Sequence, residues 1–199
     1  MRKIVLSVAA LGLAFLLGHL SAQDFTPSCD MCPADYVSAE EIRNYGEVGR
    51  VEQITDQQVR SIDIGKVNVQ IAVAHRGKLD APSAASVAEH DLVTEVYYVL
   101  SGSGTNRTGP ELVDPRRRPP DNRAVQFLNG PGNNAADIRN AQTYELKAGD
   151  VFVIPAGTGH QFTKIDDHIT YLMVRVDPDK VVPLMDEAAS QKYLAEHGR

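Results

Sequence analysis

The strongest constraint on this chain is its rhythm between Val48 and Pro178. Runs such as "VGRVEQI", "VRSIDIG", "VNVQIAVAHRG", "TEVYYVLSGSGT" and "HITYLMVRVDP" are short and rich in Val and Ile. Gly, Pro, Asp and Lys break them at close intervals. Runs of this length with turn residues between them read as β-strands, and many in a row predict an all-β sandwich or barrel. The ends differ. "VSAEEIRNYG" predicts a short helix, with Ser38 as N-cap, Glu41 completing a capping box and Gly46 as its stop. The tail, residues 179–199, is polar with helical spacing of Leu184, Ala188, Tyr193 and Leu194.

The domain organisation follows: an export signal at 1–22, a segment with one helix at 23–47, a β domain at 48–178, and the tail. Arg2 and Lys3 precede the apolar run Ile4 to Leu17, and "GHLSAQ" offers a small-residue cleavage site after Ala22. That run is shorter than the roughly 20 residues a spanning helix needs. The expected product is periplasmic or secreted, with no membrane attachment after signal cleavage. Without residues 1–22 the chain has 18 basic and 26 acidic residues, a formal charge of −8. Such a surface argues against nucleic-acid partners, which are held by Lys and Arg on phosphates. Cys29 and Cys32 have no βαβ context for redox chemistry and no neighbouring ligands for a metal clip, which leaves a small-loop disulfide or two thiols.

Residues 106–140 form a long insert containing "DPRRRPPDNR" and "NGPGNNAAD", an irregular loop in a region otherwise made of strands. Arg116, Arg117 and Arg118 within it could reach an anionic substrate, but a run of charge reads first as a solvated loop face. "NRT" at Asn106 matches a glycosylation acceptor.

The chemistry-bearing residues lie on either side of that insert. In "EHDLVTEVYYVL", His90 and Glu95 are an odd number of positions apart. A plain strand would place them on opposite faces, so they converge only if "DLVT" turns. On the strand that follows, Glu95, Tyr97 and Val99 share one face, and Tyr98 and Leu100 the other. In "AGDVFVIPAGTGHQF" a strand ends at Pro155, and the turn through Gly157 and Gly159 delivers His160 to the next strand. Two histidines and one carboxylate form a set that binds first-row divalent metals and leaves coordination positions open.

At these residues the chain resembles the cupin superfamily. That family's second motif runs Gly, five residues, Pro, one, Gly, two, His, three, Asn. Gly149, Pro155, Gly157 and His160 match it in register, with Lys164 in place of Asn. In the first motif His90, Glu95 and Gly102 match, while Ala88 stands at the first histidine position and Pro82 at the leading glycine. The resemblance implies a single jelly-roll β-barrel with a metal held by His90, Glu95 and His160. Iron, manganese, zinc, nickel and copper all suit the donors. It implies a small organic ligand or substrate, with Tyr97 as an acid/base or orienting hydroxyl and Phe162 and Met173 on the apolar wall. A dioxygenase is the leading reaction, with isomerase or lyase chemistry and a non-catalytic binding shell as alternatives. The resemblance also implies a homodimer. His75 and His168 read as ordinary histidines in or beside strands.

Overall fold

The structure is a computed structural model and describes residues 26–198. The expected export signal lies outside the described residues. Within residues 26–32, Cys29 and Cys32 form a disulfide with Cα atoms 5.7 Å apart.

From residue 33 onward the chain builds an antiparallel β structure flanked by helices. The first helix, α1, spans Ala39–Glu52. Ser38 caps it as expected, its Oγ accepting from Glu41 N at 3.0 Å. The predicted stop does not hold: the helix runs through Gly46 and ends at Gln53, which adopts a left-handed conformation. Tertiary packing explains the difference. Tyr45, Val48 and Gly49 are buried on one face of the helix, Tyr45 clusters with Val59 and Val73, and a Cβ at Gly46 would lie 3.5 Å from Val73, so Gly46 sits on the packed face rather than at a stop. The expected strand "VGRVEQI" is therefore mostly helix. Glu41 does not close its half of the capping box; its carboxylate accepts from the buried Arg60 at 2.8 and 3.2 Å and from Ser190 Oγ at 2.6 Å.

The strands are β1 (Asp56–Asp63), β2 (Asn68–Arg76), β3 (Val87–His90), β4 (Thr94–Gly109), β9 (Gln142–Lys147), β10 (Val151–Ile154), β11 (Gly159–Lys164) and β12 (Ile169–Asp177). The sixteen-residue β4 belongs to two sheets. Its first half pairs with β12 and β10, and β12 continues to β2 and β1. Its second half lies between β9 and β11, and β11 continues to β3. The glycines after Leu100 thus do not end the strand; they turn it from one sheet into the other. Gly102 makes that corner with φ +73°, and a Cβ there would lie 1.9 Å from the His168 carbonyl oxygen. Only glycine fits.

The predicted irregular insert is folded. It holds the end of β4, then β5 (Glu111–Val113), β6 (Arg116–Arg117), the short helix α2 (Arg123–Phe127), β7 (Gly132–Ala135) and β8 (Asp137–Arg139). β7 pairs with β3 and with β6, which extends the second sheet over one mouth of the barrel. Asn106 is fully buried with no partner for its amide atoms among the described residues, so the glycosylation reading finds no accessible acceptor in this fold.

The interior is packed by Tyr97, Val99, Ile154, Phe162, Ile169, Tyr171 and Met173. A second cluster lies outside β1 and β2, where Tyr45 of α1 stacks on Tyr193 of the C-terminal helix α3 (Glu187–His197) with ring centroids 5.4 Å apart. The spacing of Tyr193 and Leu194 therefore marks a real packing face. Leu184 and Ala188 are exposed.

Candidate metal centre

His90 is the last residue of β3, and Glu95 is the second residue of β4. The chain between them turns, which brings the two side chains to one side as the odd spacing required. Glu95, Tyr97 and Val99 are buried, and Tyr98 and Leu100 are exposed, so the predicted alternation holds. His160 enters from β11 after the turn at Gly157, where φ is +78°. Gly157 N donates to the His90 carbonyl oxygen at 2.7 Å, so the same turn ties the two histidine-bearing segments together.

The three side chains converge. One ligand atom from each of His90, Glu95 and His160 lies within 4.8 Å of the others, and all three residues are buried. His90 Nε2 is 3.5 Å from Glu95 Oε1, and His160 Nε2 is 3.5 Å from Glu95 Oε2. Ala88, at the position where the motif has its other histidine, is the register partner of His160 on β3. His75 and His168 are elsewhere, bonded to Thr170 and Ser101 and stacked 5.9 Å apart.

Proton placement decides how well the donors suit a cation. His160 Nδ1 lies 3.2 Å from the Thr158 carbonyl oxygen, which can only accept. Nδ1 therefore carries a hydrogen, and because burial disfavours the charged ring, Nε2 is left with a lone pair toward Glu95 Oε2. Two acceptors face each other across 3.5 Å with no proton between them. Two ligands each about 2.1 Å from one ion, at a roughly tetrahedral angle, leave about that gap. Second-shell support of this kind, a carbonyl fixing the tautomer of a histidine, is what metal-binding imidazoles use.

His90 is set differently. Its Nδ1 lies 3.2 Å from Arg118 Nη1, which can only donate. The neutral ring must then carry its hydrogen on Nε2, facing Glu95 Oε1. Burial keeps this ring neutral, driving its pKa down to about 3 against the pull of Glu95. His160 is lowered too, again chiefly by burial. For His90 to offer Nε2 to an ion, the proton must move to Nδ1 and Arg118 must let go. The donor set fits a divalent metal, with Arg118 competing for one ligand.

Glu95 is the hub of a polar network. Oε1 accepts from Asn129 Nδ2 at 2.7 Å and from Arg175 Nε at 3.2 Å; Oε2 accepts from the Tyr97 hydroxyl at 2.7 Å. Burial pushes its pKa up, but His90, Arg175, His160 and the Tyr97 hydrogen bond together hold the carboxyl down at about 2. Arg175 also donates to Gln58 Oε1 at 2.9 Å and to Asp56. Tyr97 is raised well above its ordinary value, first by burial and then by Glu95. Its proton is committed to Glu95.

His90, Glu95, Tyr97, Asn129 and His160 line a cavity of about 320 Å³, with Arg76 and Arg118 also in its wall. Phe162 lies in the wall beyond. Sequence reasoning missed Asn129 and Arg175, which have no motif around them. Of its two readings of Arg118, a solvated loop face and a residue reaching an anionic substrate, the structure places the side chain at the site, beside His90.

The family model described as an AraC-like ligand binding domain matches residues 138–198. No curated protein matches the chain. Similar solved structures include a Bacillus halodurans protein at 15% identity, covering 82% of this chain and 98% of that one, with a TM-score of 0.41. A cupin protein from Bacteroides fragilis has 19% identity, 59% and 72% coverage and a TM-score of 0.33. A Klebsiella pneumoniae protein with a double-stranded β-helix domain has 14% identity, 65% and 85% coverage and a TM-score of 0.34. Two antiparallel sheets sharing β4, the motif residues seated on them and the family match over residues 138–198 make the fold of this chain cupin-type.

Proposed function

We propose that this cupin holds a divalent transition metal through His90, Glu95 and His160 and acts on a small organic molecule in the cavity beside it. The observation that carries this reading is the convergence of one ligand atom each from His90, Glu95 and His160 within 4.8 Å of one another in a buried site. A bound ion would supply Lewis acidity toward an oxygen donor of the substrate. The chain's own groups would do the rest. Asn129 and Arg175 fix the Glu95 carboxylate, and Tyr97 holds its second oxygen, which favours an orienting role for that hydroxyl over proton transfer. A dioxygenase is the preferred reaction because two histidines and a carboxylate leave open positions; isomerase or lyase chemistry on the same site is the alternative.

The second reading is a metal-free binding shell, favoured by the donation from Arg118 to His90, which ties up one ligand. Calorimetric titration of the purified protein with Mn²⁺, Fe²⁺, Ni²⁺ and Zn²⁺ separates the two. One-site binding that is lost in Glu95→Gln supports the metal reading; no binding of any of the four supports the shell.

Export through residues 1–22 and a homodimer belong to the same proposal. Tyr98, Leu100, Val151 and Val153 form an exposed apolar strip on the outer face of β4 and β10, and β10 pairs with β4 alone. An apolar strip beside an open strand edge is a surface that a second copy would cover. Light scattering should give twice the chain mass, and Val153→Lys should return the protein to a monomer.

A further inference from the structure

We infer that the cavity binds the carboxylate group of its ligand between Arg76 and Arg118. This deepens the small-molecule reading above but needs no metal.

Both arginines line the cavity, and among the described residues neither forms an ion pair. Arg76, at the end of β2, is half-buried; its Nε donates to the Tyr171 hydroxyl at 3.1 Å, and its guanidinium lies 5.3 Å from the centre of the Phe162 ring. The aromatic groups hold the cation in place without neutralising it. Arg118 reaches in from the insert, anchored by Asn134 Oδ1 at 2.6 Å and the Asn133 carbonyl oxygen at 3.0 Å. None of the acids near it forms an ion pair with it: Glu89 accepts from the Asn133 amide, and Asp91 pairs with Arg117 at 2.5 Å. A guanidinium has five N–H donors. Arg76 uses one and Arg118 three, counting the contact with His90, so six donors remain open.

The chemistry of the open donors completes the assignment. Guanidinium forks match a planar carboxylate in geometry as well as sign. A phosphate dianion would bring more negative charge toward Glu95 and Asp56, which share the cavity wall, than a single carboxylate does.

The test is a thermal-shift and calorimetric comparison on the purified protein in EDTA at constant ionic strength. Acetate, benzoate and succinate are set against acetamide, benzamide and succinamide, with inorganic phosphate alongside. At least one carboxylate should bind ten or more times tighter than its amide. Its affinity should fall tenfold or more in Arg76→Gln and in Arg118→Gln, and less in Arg76→Lys, which keeps the charge but not the fork. Circular dichroism confirms that each variant is folded, and an Arg76→Gln protein that does not fold leaves Arg118→Gln to decide. Carboxylates that bind no better than their amides, binding unaffected by the substitutions, or phosphate binding tightest would each overturn the inference. With metal excluded, a chain that never takes an ion can still pass. One that takes an ion but discriminates no carboxylate loses this inference alone.

Discussion

His90, Glu95 and His160 show what can be read residue by residue. Each was legible because its spacing to glycines and a proline has a backbone cause: a turn between β3 and β4, and the Gly157 turn before β11. Asn129, Arg118 and Arg175 were not legible, since they reach Glu95 or His90 across 34, 28 and 80 positions through tertiary packing. Arg118 yields a prediction that sequence reasoning would invert. As a nearby cation that donates to His90 Nδ1, it opposes metal binding at Nε2. Its removal relieves both a lost charge-assisted hydrogen bond, worth about 1.5–3 kcal/mol, and a repulsion. Arg118→Gln should therefore bind Zn²⁺ or Mn²⁺ roughly tenfold tighter than the unaltered protein by calorimetry. Unchanged or weaker binding would mean that His90 is not held in the wrong tautomer.

At the scale of elements, the strand pattern carried most of the architecture, because alternation of buried and exposed residues has a direct physical cause in the pleat. The same signal failed for "VGRVEQI", where burial of Tyr45 and Val48 on the face packed toward Val59 and Val73, not local preference, favours a helix. It failed for the insert as well, whose short strands are stabilised by pairing with β3 rather than by their own composition. The docking of α1 on α3 has a pH signature. Tyr45 is buried, and its hydroxyl is 3.0 Å from Ser190 Oγ. Burial, opposed by that hydrogen bond and aided by Glu41, raises its pKa from 10.0 to about 12. A raised folded-state value means that the neutral form is favoured in the folded protein. Its contribution is complete below pH 10 and is lost as pH rises through about 12. Denaturant midpoints should fall across that window in the unaltered protein and fall less in Tyr45→Phe; equal slopes would show that the tyrosine titrates as if exposed.

For the whole molecule, the account is a barrel whose two sheets share β4 and whose insert supplies polar groups to a buried site at one mouth. The two halves of the site are separated by more than sixty residues, and β4 with its corner at Gly102 is what joins them. The departure of the first motif at Ala88 leaves three donors, enough for an ion with open positions. The most direct test is elemental analysis of the protein purified without chelator or affinity metal, beside His160→Ala. Near one equivalent of a transition metal is expected in the former and almost none in the variant. A protein without metal, even after incubation with each candidate ion, would contradict it and leave the barrel as a binding shell.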